Sequence, residues 1–178
     1  QLLSLGRLVL AIRSRWGEEH SSPEWAEAIQ AYLAASLNRL VDQSTTLCTW
    51  YLPGENVKHT YVHYALPITW DYAEANPMFE GGASWSSAIR ICTSALDHAL
   101  HAARGGAAPR VVRGSSITHA IPQQVELVIT DPPYYDAIPY SDLMDLFYIW
   151  LRRTMADVAP DYASLKDMVL SPKWDREA

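Results

Sequence analysis

Val125-Glu126-Leu127-Val128-Ile129-Thr130-Asp131-Pro132-Pro133-Tyr134 is the stretch on which the fold turns. Its first six residues are β-branched or apolar apart from Glu126, and Pro122 precedes them. Such a run predicts a strand buried on both faces of a parallel sheet. The Asp-Pro-Pro that follows stops any ladder, because proline has no N–H to donate. Beyond it, Ser141 is expected to cap a helix with Leu143, Leu146, Phe147, Trp150 and Leu151 on one face. Strand, loop and helix form half of an α/β crossover unit. A second strand is expected at Arg110-Val111-Val112-Arg113-Gly114.

Upstream the rhythm is helical. Leu2, Leu5, Val9, Ile12 and Trp16 follow one stripe, which Gly17 interrupts. Ser22-Pro23-Glu24 is a start signal: serine caps free amides, proline fits the first turn and glutamate suits the positive dipole end. The helix that follows is expected to run to about Gln43, with Trp25, Ile29, Leu33, Leu37, Leu40 and Val41 in period. Pro53-Gly54 marks a turn. Trp70 to Asn76 is aromatic and acidic, and Pro77 is expected to end any helix there. Trp85, Ala88, Ile89, Cys92, Leu96 and Leu100 mark a further helix that should stop near Gly105-Gly106. The expected fold class is therefore α/β. A mostly helical region at 1–108 precedes a partial Rossmann-like sheet at 109–178.

Composition narrows the class of function. The chain has 178 residues, 49% hydrophobic and 19% charged, as a globular domain requires. No run of eighteen apolar residues offers a membrane span. Its start, Gln1-Leu2-Leu3-Ser4-Leu5-Gly6-Arg7, has no initiator Met and no signal-peptide pattern, so the chain is expected to begin inside a longer protein. The two cysteines, Cys48 and Cys92, form no CxxC pair. A zinc ribbon is thus not expected here, and a reducing cytoplasm fits best. The net charge of −6 argues against a broad phosphate-binding surface but leaves room for a local basic patch.

Ligands of open α/β sheets bind beyond the carboxyl ends of the strands, which is where Asp131-Pro132-Pro133-Tyr134 falls. These residue types suit methyl transfer to the exocyclic amine of a nucleic-acid base. The lone pair of such an amine is delocalised into the ring, so the nitrogen is a poor nucleophile. A carboxylate accepting one N–H and a carbonyl accepting the other draw it toward a tetrahedral form. Asp131 can be the first acceptor and the Pro132 carbonyl the second. Two prolines fix φ near −65° and hold that carbonyl in place. Tyr134 offers a flat face to a flipped base, worth about 1–3 kcal/mol. That is comparable to the few kcal/mol that extrusion costs. Positioning the amine against the methyl sulfonium supplies the rate, with no metal. The plain alternative is a strand-end turn with Tyr134 as ordinary surface.

The block Leu127-Val128-Ile129-Thr130-Asp131-Pro132-Pro133-Tyr134-Tyr135-Asp136 resembles the amino-methyltransferase motif of DNA methylases. The continuation from Tyr140 to Arg153 is similar to the large adenine-specific DNA methylases that contain a zinc ribbon, found in prokaryotic modification and defence loci. The likeness extends to Leu47-Cys48-Thr49-Trp50 and to the stretch Ala65–Pro77. It implies S-adenosylmethionine as cofactor, DNA as partner, and Asp131, Pro132, Pro133 and Tyr134 around the target amine. Tyr135 and Asp136 would shape the base pocket. Aspartate rather than serine at the first motif position leans toward adenine. The same likeness implies a Gly-rich cofactor loop and a zinc ribbon nearer the N-terminus. Neither is recognisable here, so the chain is expected to be the C-terminal part of such a methylase. The remainder of the parent chain would be its partner. An RNA base, a protein glutamine, or a non-catalytic DNA-binding role are the alternatives.

Other candidates have plainer readings beside them. Phe79-Glu80-Gly81-Gly82-Ala83 imitates a cofactor loop but lacks the second glycine at the right spacing, so a loop before a helix is expected. Ser115 follows the strand expected at 110–114, where related methylases carry an acidic residue near the cofactor adenine. His59 with His63 and His98 with His101 have helical metal-ligand spacing but no further ligands beside them, and no metal is expected. Asp71 with Glu74 could pair as acids or line a solvated face. Asp142, Asp145, Arg152 and Arg153 suit the dipole of their helix, and the two arginines could also meet phosphate.

Overall fold

The computed structural model is described over residues 1–14, 22–62, 68–112, 125–132, 134 and 137–158. These contain four helices and one short ribbon: α1 (Leu2–Ser14), α2 (Pro23–Val41), β1 (Trp50–Tyr51), β2 (Asn56–Val57), α3 (Trp85–Ala102) and α4 (Tyr140–Met155). A single 3-10 turn, Leu52–Gly54, lies between β1 and β2. Trp16, which extends the expected first stripe, lies outside the described residues.

α2 is the spine, packed against α1, α3 and α4. The Ser22 side chain accepts the Trp25 N–H at 3.2 Å, and Pro23 occupies the first turn, so the N-terminal signal works as expected. The helix ends at Val41, two residues short of Gln43, with Asp42 as its C-cap. Its buried stripe is shorter than the sequence period: Leu37, Leu40 and Val41 are sealed, whereas Trp25 is 58% exposed. Leu5, Val9 and Ile12 of α1 close on that C-terminal half, and Trp150 of α4 completes the cluster. Residues from both sides of the boundary expected near 108 therefore share one core. Burying each of the leucines stabilises the fold by roughly 1.5–3 kcal/mol.

Two polar ties fix α4 against its neighbours. The buried Gln30 side chain of α2 donates to the Thr154 carbonyl at 2.5 Å. Arg13, near the end of α1, pairs with Asp157 just beyond α4.

The ribbon was not foreseen beyond its turn. Trp50 pairs with Val57 and Tyr51 with Asn56, antiparallel. Glu55 holds a left-handed φ of 48° to close the bend. Gly54 is required by close approach, since a Cβ there would lie 2.7 Å from the Tyr51 ring. A polar knot ties the ribbon to the end of α2. The Asp42 carbonyl accepts from the Thr60 N–H and hydroxyl, each at 2.7 Å, beside the sealed thiol of Cys48.

α3 starts at Ser84, whose hydroxyl accepts the Ser87 N–H at 3.2 Å. Phe79–Ala83 forms the turns before it, as a loop preceding a helix should. Ser87 and Ala88 are buried, but the apolar stripe then runs off the core, and Leu100 is 63% exposed. The helix stops before Gly105, at φ 83°. Residues 70–76 are irregular rather than helical, tied back where the Ala73 N–H meets the Cys48 carbonyl at 2.8 Å.

Two strand expectations differ from the structure. Val125–Thr130 carries no ladder, and Ile129 is 84% exposed. Residues 110–112 are likewise irregular and exposed, while Arg113, Gly114 and Pro122 lie outside the described residues. A parallel strand is stable only between neighbours that take its hydrogen bonds and cover both faces. Among the described residues the β1–β2 pair is the whole sheet, so nothing there covers 125–130.

Candidate functional site

Asp131, Pro132 and Tyr134 stand exposed between the apolar run and α4, with Tyr134 63% accessible. Pro133, Tyr135, Asp136 and Ser115 lie outside the described residues. A short series of backbone bonds joins Tyr134 to the helix. The Ala137 N–H donates to the Tyr134 carbonyl at 3.0 Å, and the Tyr140 N–H to the Ile138 carbonyl at 2.9 Å. The Asp142 and Leu143 N–H groups both reach the Pro139 carbonyl at 3.1 Å. Pro139, not Ser141, therefore occupies the cap position, and its carbonyl starts the helix without a side-chain cap. α4 is anchored by Trp150 and Met155, so the loop hangs from a fixed helix. Asp131 and Tyr134 are thereby left accessible at the surface.

Of the remaining candidates, two arginines lie over aromatic rings of their own helix. Arg152 lies 5.7 Å over the Tyr148 ring and Arg153 5.7 Å over Trp150. His98 and His101 are exposed on α3. Asp71 and Glu74 are exposed on an irregular segment, not a helix. His59 follows β2 rather than sitting in a helix, and His63 lies outside the described residues. Among the described residues no group of three potential metal ligands comes together. Nor is any helix there long and apolar enough to cross a membrane.

Sequence reading missed a cleft of about 800 Å³ between the end of α2, the ribbon, the start of α3 and α4. Arg39, Asp42, Lys58, His59, Tyr61 and Phe147 are among the residues that line it. His59 Nδ1 lies 2.5 Å from the Asp42 carboxylate, whose other oxygen accepts the Thr60 N–H at 3.1 Å. An ionised carboxylate only accepts, so the imidazole donates to it through Nδ1. Lys58 Nζ sits 4.9 Å over the Tyr51 ring. Tyr61 meets Phe147 edge-on at 6.1 Å. Burial, and then the charges of Asp145 and Asp42, push the Tyr61 hydroxyl above its ordinary 10.0. A second hollow of about 300 Å³ adjoins the first, sharing Lys58 and Val62 and reaching Trp70. The local signal that could have exposed the cleft is the turn at Pro53-Gly54, which folds Lys58 back beside Tyr51. Comparison with protein-family models, curated proteins and solved structures finds no match for this chain.

Proposed function

We propose that the chain carries the base-facing part of an S-adenosylmethionine-dependent methyltransferase that modifies the exocyclic amine of adenine in DNA. The observation that carries this reading is the Leu127–Asp136 block. Its acid and aromatic, Asp131 and Tyr134, are exposed at the foot of an anchored helix. Asp131 accepts one amine hydrogen and the Pro132 carbonyl the other, while Tyr134 stacks on the flipped ring. Pro133 stiffens the loop, and Tyr135 and Asp136 shape the pocket around the base. The bound cofactor supplies the methyl group. Its binding loop comes from the remainder of the parent chain, with Ser115 near its adenine. In that assembly Val125–Thr130 is a strand of the shared sheet, which gives its bare apolar side chains a covered place. The activity belongs to the cytoplasm, in a modification or restriction-modification system.

Label transfer from methyl-tritiated S-adenosylmethionine, offered DNA, RNA and protein in parallel, tests the proposal with the full-length protein. Label is expected in adenine of DNA and lost with Asp131→Ala. Label in protein and never in DNA overturns it.

A further inference from the structure

α1 carries two apolar faces, and the core uses one of them. Leu5, Val9 and Ile12 are buried with Leu37, Leu40 and Val41 of α2 and Trp150 of α4. Leu2, Leu3, Gly6 and Leu10 share the other side, because residues three or four apart lie on one helix face. The three leucines there are 60–76% exposed, and a Cβ added to Gly6 would meet nothing within 4 Å. Contiguous exposed apolar side chains mark contact with another protein surface. Arg7 and Arg13 are the charged side chains of α1, which holds no acid. Arg13 is paired with Asp157, while Arg7 stands exposed one turn from both Leu3 and Leu10.

α2 carries the counterpart on its outer side. Ala28, Ala31 and Ala35 follow Glu24 at helical spacing and leave a shallow strip. Trp25 and Tyr32, both exposed, border it on one side, and exposed Glu27 borders it on the other. The one cation of α2, Arg39, sits in its last turn, away from these acids. Among the described residues, Arg7, Glu24 and Glu27 form no ion pair.

Bulky leucines and an unpaired cation on one helix thus match small alanines and two acids on the other. Neither face suits itself: α1 on α1 would bring cations together, and α2 on α2 would bring acids together. Nor can the two faces meet within one copy, because α1 and α2 already pack through their opposite sides. We infer that the outer face of α1 seats on the outer face of α2 in a second copy, and that the reciprocal contact closes a two-fold dimer. In an antiparallel register with Gly6 on Ala28, Leu3 meets Ala31, Leu10 meets Trp25 and Arg7 falls between Glu24 and Glu27. Gly6 lets the two backbones approach where they cross. The inference is independent of the methyl-transfer reading.

Sedimentation velocity on the full-length protein is the test, and wild type is expected as a dimer at micromolar concentration. Arg7→Glu and Glu24→Arg/Glu27→Arg each set like charges together and should raise the dissociation constant about tenfold or more. Mixed in equal amounts, the two variants should recover a dimer, because opposite charges then face each other in both contacts. Gly6→Leu should also break the dimer, although the new side chain starts into open space in the single copy and favours the helix. Circular dichroism melting verifies that each variant is folded, and Arg7, Glu24 and Glu27 are all exposed. A monomeric wild type, a dimer that the folded variants leave intact, or a mixture of the two charge variants that stays monomeric would each overturn the inference.

Discussion

In the proposed reaction, Asp131 and Tyr134 make different demands on the same base. A carboxylate acts on the amine hydrogen, and loss of its charge removes an interaction that strengthens as the nitrogen becomes tetrahedral. Asp131→Asn should therefore lower kcat while DNA binding changes little, which single-turnover kinetics separates from affinity. Tyr134 contributes a ring face. Tyr134→Phe should keep most activity, whereas Tyr134→Ala should weaken binding of the flipped base by about 1–3 kcal/mol. Because both residues are exposed, unfolding free energies should shift by no more than about 0.5 kcal/mol. The residue types that the proposal uses were legible in the sequence, since aspartate, proline and tyrosine carry their chemistry with them. The Asp42–His59 contact was not. Its partners lie 17 residues apart across a turn, and no local spacing announces a pair made by tertiary folding.

Tyr61 gives the residue scale a pH signature. Its hydroxyl is raised above 10.0 by burial and by Asp145 and Asp42, so the neutral form is the one the fold favours. The folded state then holds this proton at pH values where the unfolded chain has released it. The contribution to stability is complete below pH 10 and is lost as pH rises through the higher folded value. Denaturant midpoints measured from pH 8 to 12 should fall more steeply for wild type than for Tyr61→Phe. Parallel curves would remove the effect.

At the scale of elements, the four helices were written in the chain and their ends partly so. α2 shows why. Ser22, Pro23 and Glu24 act within one turn, so the start is a local matter, and Ser22→Ala should cost about 1 kcal/mol by urea unfolding. Its end is not local, because Asp42 turns away to hold Thr60 and the ribbon. The start of α4 was misplaced for a related reason. Pro139 offers its carbonyl to two N–H groups, which needs no capping side chain. α3 shows the limit of periodicity. Its stripe continues to Leu100, but a stripe records which face is apolar and not whether anything covers it.

For the whole molecule, the described core is a helical cluster in which α1, α2 and α4 meet at Trp150. Truncating it should cost about 3–5 kcal/mol, since three helices lose a shared neighbour. Trp150→Ala should thus lower the thermal midpoint far more than any change in the Asp131 loop. The parallel sheet expected from Val125–Thr130 is the part that local reading could not secure. A β-branched apolar run states a preference for burial, and the partners that satisfy it are set by the rest of the fold. The same run leads into the loop, so the sheet and the chemistry belong to one question. Methyl transfer from labelled S-adenosylmethionine to double-stranded DNA by the full-length protein, beside its Asp131→Ala variant, asks it most directly. The account predicts N6-methyladenine with the native loop and none with the variant, both remaining folded. Equal methylation by the two proteins would contradict it.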